Sequence, residues 1–338
     1  MAKLDNIKPL SKIDEVIQES REDRWFKRVF LSPAVAILLV LSIFPLVWSV
    51  GVSLTTCERT QPQGEVVHSI VGDVLCLGNS ANISLANYVR VPSDLRLLNA
   101  AKNTLFYVVG GVLLQYIIGF GLAMMLNQEI VGRRFFRLIF LLPMMLTPVA
   151  AGYVGRMMFD PGISPLAQFE RTIGSFLTSI AGQKITVSIP FLTDTSVAPF
   201  SIILMDSWQW IPFMTLLMLA GMQSIPEEIY EAARVDGANR WNLLVSITFP
   251  MLLPITLTAV LIRSLEMFKI IDVINVTTGG GPGTSTESLV MYVYDTALNF
   301  GNYGYAAAIG VVLLVLIVIF ATVYLIISRR ITRRQLGE

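Results

Sequence analysis

Histidine is almost missing from this chain of 338 residues, where His68 is the only one. A nucleophile relay needs a base such as histidine within hydrogen-bond reach, and one histidine in a polar loop supplies no such set. Cysteine is nearly as scarce. Cys57 and Cys76 fall in the same loop, and together with His68 they do not make up a zinc set of four. In an oxidising compartment the two would close a loop of about 20 residues as a disulfide, and otherwise they are two unpaired thiols. Charge is thin as well, at 14% of residues against about 25% in a soluble domain. The net charge of +1 offers nothing to nucleic acid. Glycines cluster in "TTGGGPGTSTES", Thr277 to Ser288, but no lysine follows them. A phosphate-cradling loop of the Walker type requires that lysine. The segment is expected to be a flexible turn or a re-entrant loop. No internal repeat and no low-complexity tract is visible.

What is abundant is apolar surface, at 54% of the chain. A helix needs about 20 apolar residues to cross a bilayer. Six runs qualify, roughly Val29–Leu54, Thr104–Leu126, Phe136–Phe159, Phe200–Met222, Thr248–Phe268 and Tyr305–Ser328. The expected fold is therefore all-α, a polytopic membrane protein with six transmembrane helices spread over residues 29–330. The first run is too long for a cleaved signal peptide and counts as a span. Before it, residues 1–28 form a polar tail, either a short helix on the membrane surface or a loose segment. After the last run, residues 331–338 form a second tail. Sixteen lysines and arginines fall on the side of the N-terminus and six on the other. That bias puts both termini in the cytoplasm. Pro143 and Pro148 should kink the third span. The loops 55–96 and 160–199 are the larger outer segments, and the first has the composition of a small cap.

Polar side chains inside spans are costly, about 2.5–3.5 kcal/mol for a charge at the bilayer centre. Asp206, Trp208 and Trp210 stand in the fourth run, and Arg263, Glu266 and Lys269 follow i, i+3, i+6 spacing in the fifth. Either these face a translocation path, or they are an interfacial aromatic belt and a locally paired, snorkelling triplet. No set of them has the convergence an embedded enzyme needs. A proton-coupled secondary transporter relying on Asp206 or Glu266 is the reading that competes with an ATP-driven one.

The stretch "IPEEIYEAARVDGANRWNLLVSITFP", Ile225 to Pro250, is a charged island between two spans. Ser224 is expected to cap a helix with Pro226 in its first turn and Glu227 and Glu228 near its positive end. Gly237 stops that helix by taking a left-handed conformation. A second short helix begins at Asn239, with Trp241, Leu244 and Ile247 on one stripe, and Pro250 and Pro254 mark entry into the next span. The product is a helix–turn–helix knob. Around Gly237 the small residues Ala232, Ala233 and Ala238 allow a partner to approach closely. The plainer alternative is an interfacial helix that only orients two spans.

This stretch resembles the EAA loop of binding-protein-dependent ABC importer permeases. Glu231, Ala232, Ala233, Gly237, Ile247 and Pro250 match that pattern in register, and Phe249 replaces its usual leucine. The segments "DSWQWIPFMTLLMLAGMQSIPEEIYEAARVDGA" and "DVINVTTGGGPGTSTESLVMYVYDTALNFGNYGYAAAIG" resemble the carbohydrate-importer branch, the MalF/UgpA-like permeases, and the likeness covers about residues 29–330. It implies a type I importer permease (MetI-like) fold in the inner, or plasma, membrane, with no enzymatic activity of its own. It implies a second homologous permease completing the pore, a cytoplasmic ATPase dimer holding ATP and Mg, an external solute-binding protein and a sugar, polyol or sugar phosphate as substrate. The loop 224–250 would couple to the ATPase through Glu231, Ala232, Ala233, Arg234, Asp236, Gly237 and Ala238. Residues on the later spans would contact the substrate.

Overall fold

The computed structural model describes residues 25–26, 28–55, 83–128, 132–184 and 188–336. Cys57, Cys76, most of the N-terminal tail and most of the first outer loop lie outside them. Among the described residues there are helices and no strands. Five helices are long and apolar enough to cross a membrane, or six if one bent pair counts as a span. They are α1 (Arg28–Ser53), α2 (Leu95–Leu126), α6 (Ala198–Gln223), α8 (Arg240–Met267) and α11 (Tyr303–Leu336). Between α2 and α6 come α3 (Arg133–Leu141), α4 (Pro148–Phe159) and α5 (Pro165–Ala181). Among the short helices are α7 (Glu227–Val235), α9 (Asp272–Thr277) and α10 (Leu289–Tyr294). The last span continues into what the sequence reads as the C-terminal tail.

The third run is bent more sharply than a proline kink alone requires. It breaks between α3 and α4 with a bend of 104°. Pro143 starts a single tight turn, and Leu146 and Thr147 are then extended, as a residue ahead of a proline prefers. Thr147 caps α4, its hydroxyl accepting from Ala150 N–H at 3.3 Å, with Pro148 in the first turn. The freed carbonyl of Leu146 accepts from the buried Gln209 amide of α6 at 2.9 Å, as backbone at membrane depth requires.

The core is α2 against α6, with α8 laid over both. Lipid is as apolar as leucine, so such packing relies on small residues that let backbones approach. At Gly119 a Cβ would stand 2.6 Å from Met214 Cβ, so only glycine fits there. Tyr107, Ile202, Met214, Met218, Leu252 and Met267 are all but fully buried around this contact.

The glycine-rich segment is anchored by hydrogen bonds along its length. It folds back onto the start of α2. Asn99 and Asn103 donate to Thr284 O at 2.9 and 3.0 Å, and Tyr107 donates to Thr286 O at 3.0 Å. Glu287 is 1% exposed and accepts both Arg96 Nε (2.9 Å) and Nη2 (2.6 Å). Such a fork is the strong form of an arginine–carboxylate pair. Arg96 also reaches Asp295 at 3.2 Å. Beside it Asp94 caps α2, accepting from Arg96 N and Leu97 N, and its other oxygen takes the hydroxyls of Tyr292 (2.7 Å) and Tyr305 (2.6 Å). Burial alone would raise the Asp94 pKa, but the two tyrosine bonds and the two N–H groups hold it below 3.8. Burial and Asp94 together push the Tyr292 hydroxyl up to about 12. We refer to this group as the clasp.

Candidate functional site

Two places gather the polar residues singled out above. The first is a cavity of about 220 Å³ between α4, α6, α8 and α9, walled by Asp206, Trp210, Arg263, Glu266, Lys269 and Asp272 among others. Arg263 is 2% exposed and turns inward. It forms an ion pair with Asp206 and donates Nε–H to Gln115 Oε1 at 2.6 Å. The Gln115 amide in turn donates to Asp206 at 2.7 Å, and the guanidinium lies 4.6 Å over the Trp210 ring. Three helices thus meet through one hydrogen-bonded ring, which satisfies charges that would otherwise be costly at this depth.

Four of the five expected substrate-path residues line this cavity. Trp208 does not. It sits about 200° around the helix from Asp206 and is 43% exposed. Nor does the triplet on α8 act as a unit. Glu266 pairs with Lys269 at 2.8 Å in the open, while Arg263 pairs across to another helix. Gln115 escaped the sequence reading, although it is the single amide in the run "VLLQYIIGF". Chemically the cavity offers hydrogen-bond donors and acceptors and an indole face, with Asp206 and Glu266 each paired to a cation. It has no nucleophile beside a base.

The second place is the knob. Ser224 does not cap it. Its hydroxyl donates to Gly221 O at 2.7 Å and closes α6, and Pro226 stands at the N-cap of α7. Glu227 and Glu228 occupy the first turn as expected. At the far end Gly237 has φ +80°, its N–H donates to Arg234 O, and Ala238 N–H reaches Ala233 O at 2.9 Å. This is the complete Schellman closure. Asn239 then caps α8, accepting from Asn242 N–H at 2.8 Å. No break follows at Pro250 or Pro254. A π-helical stretch, Leu243–Thr248, carries α8 straight into the span, and Thr248 Oγ1 bonds Leu243 O five residues back. Tyr230 and Thr248 hydroxyls, 3.1 Å apart, tie α7 to that stretch.

Glu231, Ala232, Arg234, Asp236 and Gly237 are exposed, while Ala233 and Ala238 are half-buried. Val235 at 87% and Trp241 at 69% exposure flank them. A cavity of about 940 Å³ separates the knob from the ends of α2 and α6.

Known proteins sharpen this description. Residues 103–333 match the family described as binding-protein-dependent transport system inner membrane component. The trehalose/maltose transport system permease protein MalF of Thermococcus litoralis is 30% identical over 301 residues, covering 89% of this chain and 92% of its own. The trehalose transport system permease protein SugA of Mycobacterium tuberculosis is 27% identical over 297 residues, covering 88% and 86%. Among solved structures, a bacterial ABC transporter involved in the import of the acidic polysaccharide alginate has a chain that superimposes with TM-score 0.73 at 21% identity, covering 94% of this chain and 99% of that one. The fold is that of an ABC importer permease, and the chain belongs to the family of binding-protein-dependent transport system inner membrane components.

Proposed function

We propose that this chain forms half of the pore of an ATP-driven importer for a sugar, polyol or sugar phosphate. A second, homologous permease supplies the other half. The knob faces the cytoplasm together with both termini, and the clasp faces outward, where a solute-binding protein delivers the substrate. The observation that carries this reading is the knob itself: a Schellman-closed helix, exposed at Glu231 and Ala232 and joined without a break to the span that bears Arg263. ATP and Mg are bound by the partner ATPase, and no cofactor is assigned to this chain.

The mechanism follows from the rod. α8 runs 28 residues from Arg240 to Met267, about 42 Å at 1.5 Å per residue. A push on α7 reaches it through the Gly237 turn and the Tyr230–Thr248 contact. At its other end the rod holds Arg263, so a tilt displaces the wall of the small cavity relative to Asp206 and Trp210. Glu231 would accept charge-assisted bonds in a groove of the ATPase. Trehalose and maltose, named for two relatives, are the first substrates to try. Trp210 suits a sugar ring and the paired polar groups suit its hydroxyls. A proton-coupled carrier that relied on Asp206 or Glu266 would need that carboxylate unpaired, and both have cationic partners.

Purification from native membranes in gentle detergent tests this, with every accompanying protein identified. A second six-span permease and a Walker-containing ATPase are expected. Recovery of this chain alone, still active in uptake, would overturn the reading.

A further inference from the structure

Helix α5 lies at the end of the bundle opposite the knob, between the far ends of α4 and α6. The sequence reading placed only an outer loop, 160–199, there. The helix is well formed, with Ser164 capping its start (2.9 Å to Ala167 N) and Gly182 at φ +69° closing it. Its 17 residues contain two charges, and both are used within the chain. Arg171 donates to Pro161 O at 3.1 Å and Gly162 O at 3.3 Å, and Glu170 accepts Ile189 N–H at 3.3 Å. These bonds fix α5 against the segments that enter and leave it.

At about 100° per residue the rest of the helix sorts into three sectors. Ala167 and Gly174 are buried and form the seam against the protein. On one flank of that seam stand Phe169, Phe176 and Ile180, exposed by 63%, 63% and 68%, with Leu177 beside them. On the other flank stand Gln168, Thr172, Ser175 and Ser179, all exposed. The three hydroxyls there donate back to carbonyls of their own helix, at 2.9, 2.8 and 2.7 Å. The helix belongs to a bundle with five helices apolar and long enough to cross a membrane, so an apolar flank at its end has acyl chains as its nearest apolar medium. A helix lying flat on a bilayer needs an apolar flank and a polar flank on opposite sides of its seam. Exposed apolar residues stand on α4 too, at Tyr153, Met157 and Met158.

We propose that α5 is a membrane-surface anchor, its Phe169–Phe176–Ile180 flank sunk among acyl chains and its hydroxyl flank at the headgroups. It thereby fixes the depth of the outer ends of α4 and α6, the helices that wall the small cavity. The occupant is phospholipid, and a neighbouring permease is the alternative the test must separate.

The photoreactive residue p-benzoylphenylalanine would replace Phe176, Phe169 or Ser179 singly. The full complex would be irradiated in vesicles of phosphatidylethanolamine and phosphatidylglycerol, and the adducts identified by mass. Lipid adducts at positions 176 and 169, several-fold fewer at 179, are expected. A crosslink from 176 or 169 to another polypeptide would overturn the proposal in favour of a protein interface. Equal lipid capture on both flanks would overturn it too, and so would no adduct at 176 and 169, which means water. None of these outcomes bears on the importer assignment, which the co-purification decides separately.

Discussion

Removing Asp206 should expose how much the three-helix ring is worth. The Arg263 guanidinium is 2% exposed in the native chain, and Asp206→Ala leaves it Gln115 Oε1 as its remaining oxygen acceptor. Breaking a buried pair by deleting one partner costs about 3–5 kcal/mol, because the other charge is left uncompensated. Asp206→Asn keeps shape and an acceptor but loses the charge assistance, and neutral hydrogen bonds are about half as strong, so its loss should be smaller. Replacing both partners, Asp206→Leu with Arg263→Met, removes both desolvated charges and should recover most of the deficit. The assay is equilibrium unfolding by SDS titration in mixed micelles, read as a double-mutant cycle. Single variants within about 1 kcal/mol of the native chain would mean that Arg263 finds water or lipid phosphate instead, and the buried ring would be refuted. A double variant no better than the worse single one would refute the coupling.

The turn at Gly237 gives a second expectation. No atom lies within 4 Å of an added Cβ, so Gly237→Ala carries only the left-handed strain of about 1–2 kcal/mol and should lower uptake modestly. Gly237→Trp should abolish uptake while membrane abundance holds, and native uptake from it would count against docking. Gly119→Ala must part α2 from α6 at Met214 and should cost about 1–3 kcal/mol in the same SDS titration, whereas Gly121→Ala, with open space around it, should not. The clasp has a defined pH response. Asp94 ionises below 3.8 when folded, so its stabilisation is complete above that value and fades as pH falls through the folded pKa. Thermal unfolding of Asp94→Asn should therefore show the same deficit at pH 7 and pH 5, converging with the native chain only in stronger acid.

The spans were legible because an unbroken apolar run of about 20 residues has few other uses. The knob was legible because its punctuation is local: two glutamates, one glycine and one asparagine each act on a backbone within four residues. What stayed hidden was set by distant partners. Ser224 carries the chemistry of an N-cap, yet its hydroxyl closes the preceding helix, and nothing local decides between the two. The short helix expected from Asn239 is not separate from the span that Pro250 and Pro254 mark, because the π-helical stretch before them runs the two together. Pro143 and Pro148 signal a kink that becomes a 104° bend, because Gln209 on another helix takes the carbonyl between them.

The charged residues make the same point in reverse. Spacing along α8 pairs Arg263 with Glu266 as readily as Glu266 with Lys269. Depth separates them. Glu266 and Lys269 reach water and settle for each other, as exposed pairs do at little gain. Arg263 is too deep for that, so its partner must come from whichever helix the packing brings near, here Asp206 and Gln115. Gln115 can be reached by α8 because Gly119, one turn along the same helix, lets α2 close onto α6. A glycine whose sequence context looks ordinary thus determines where the one fully buried arginine on α8 finds its partners. That is why Gly119→Ala should weaken the Arg263–Asp206 coupling in the double-mutant cycle as well as the packing itself.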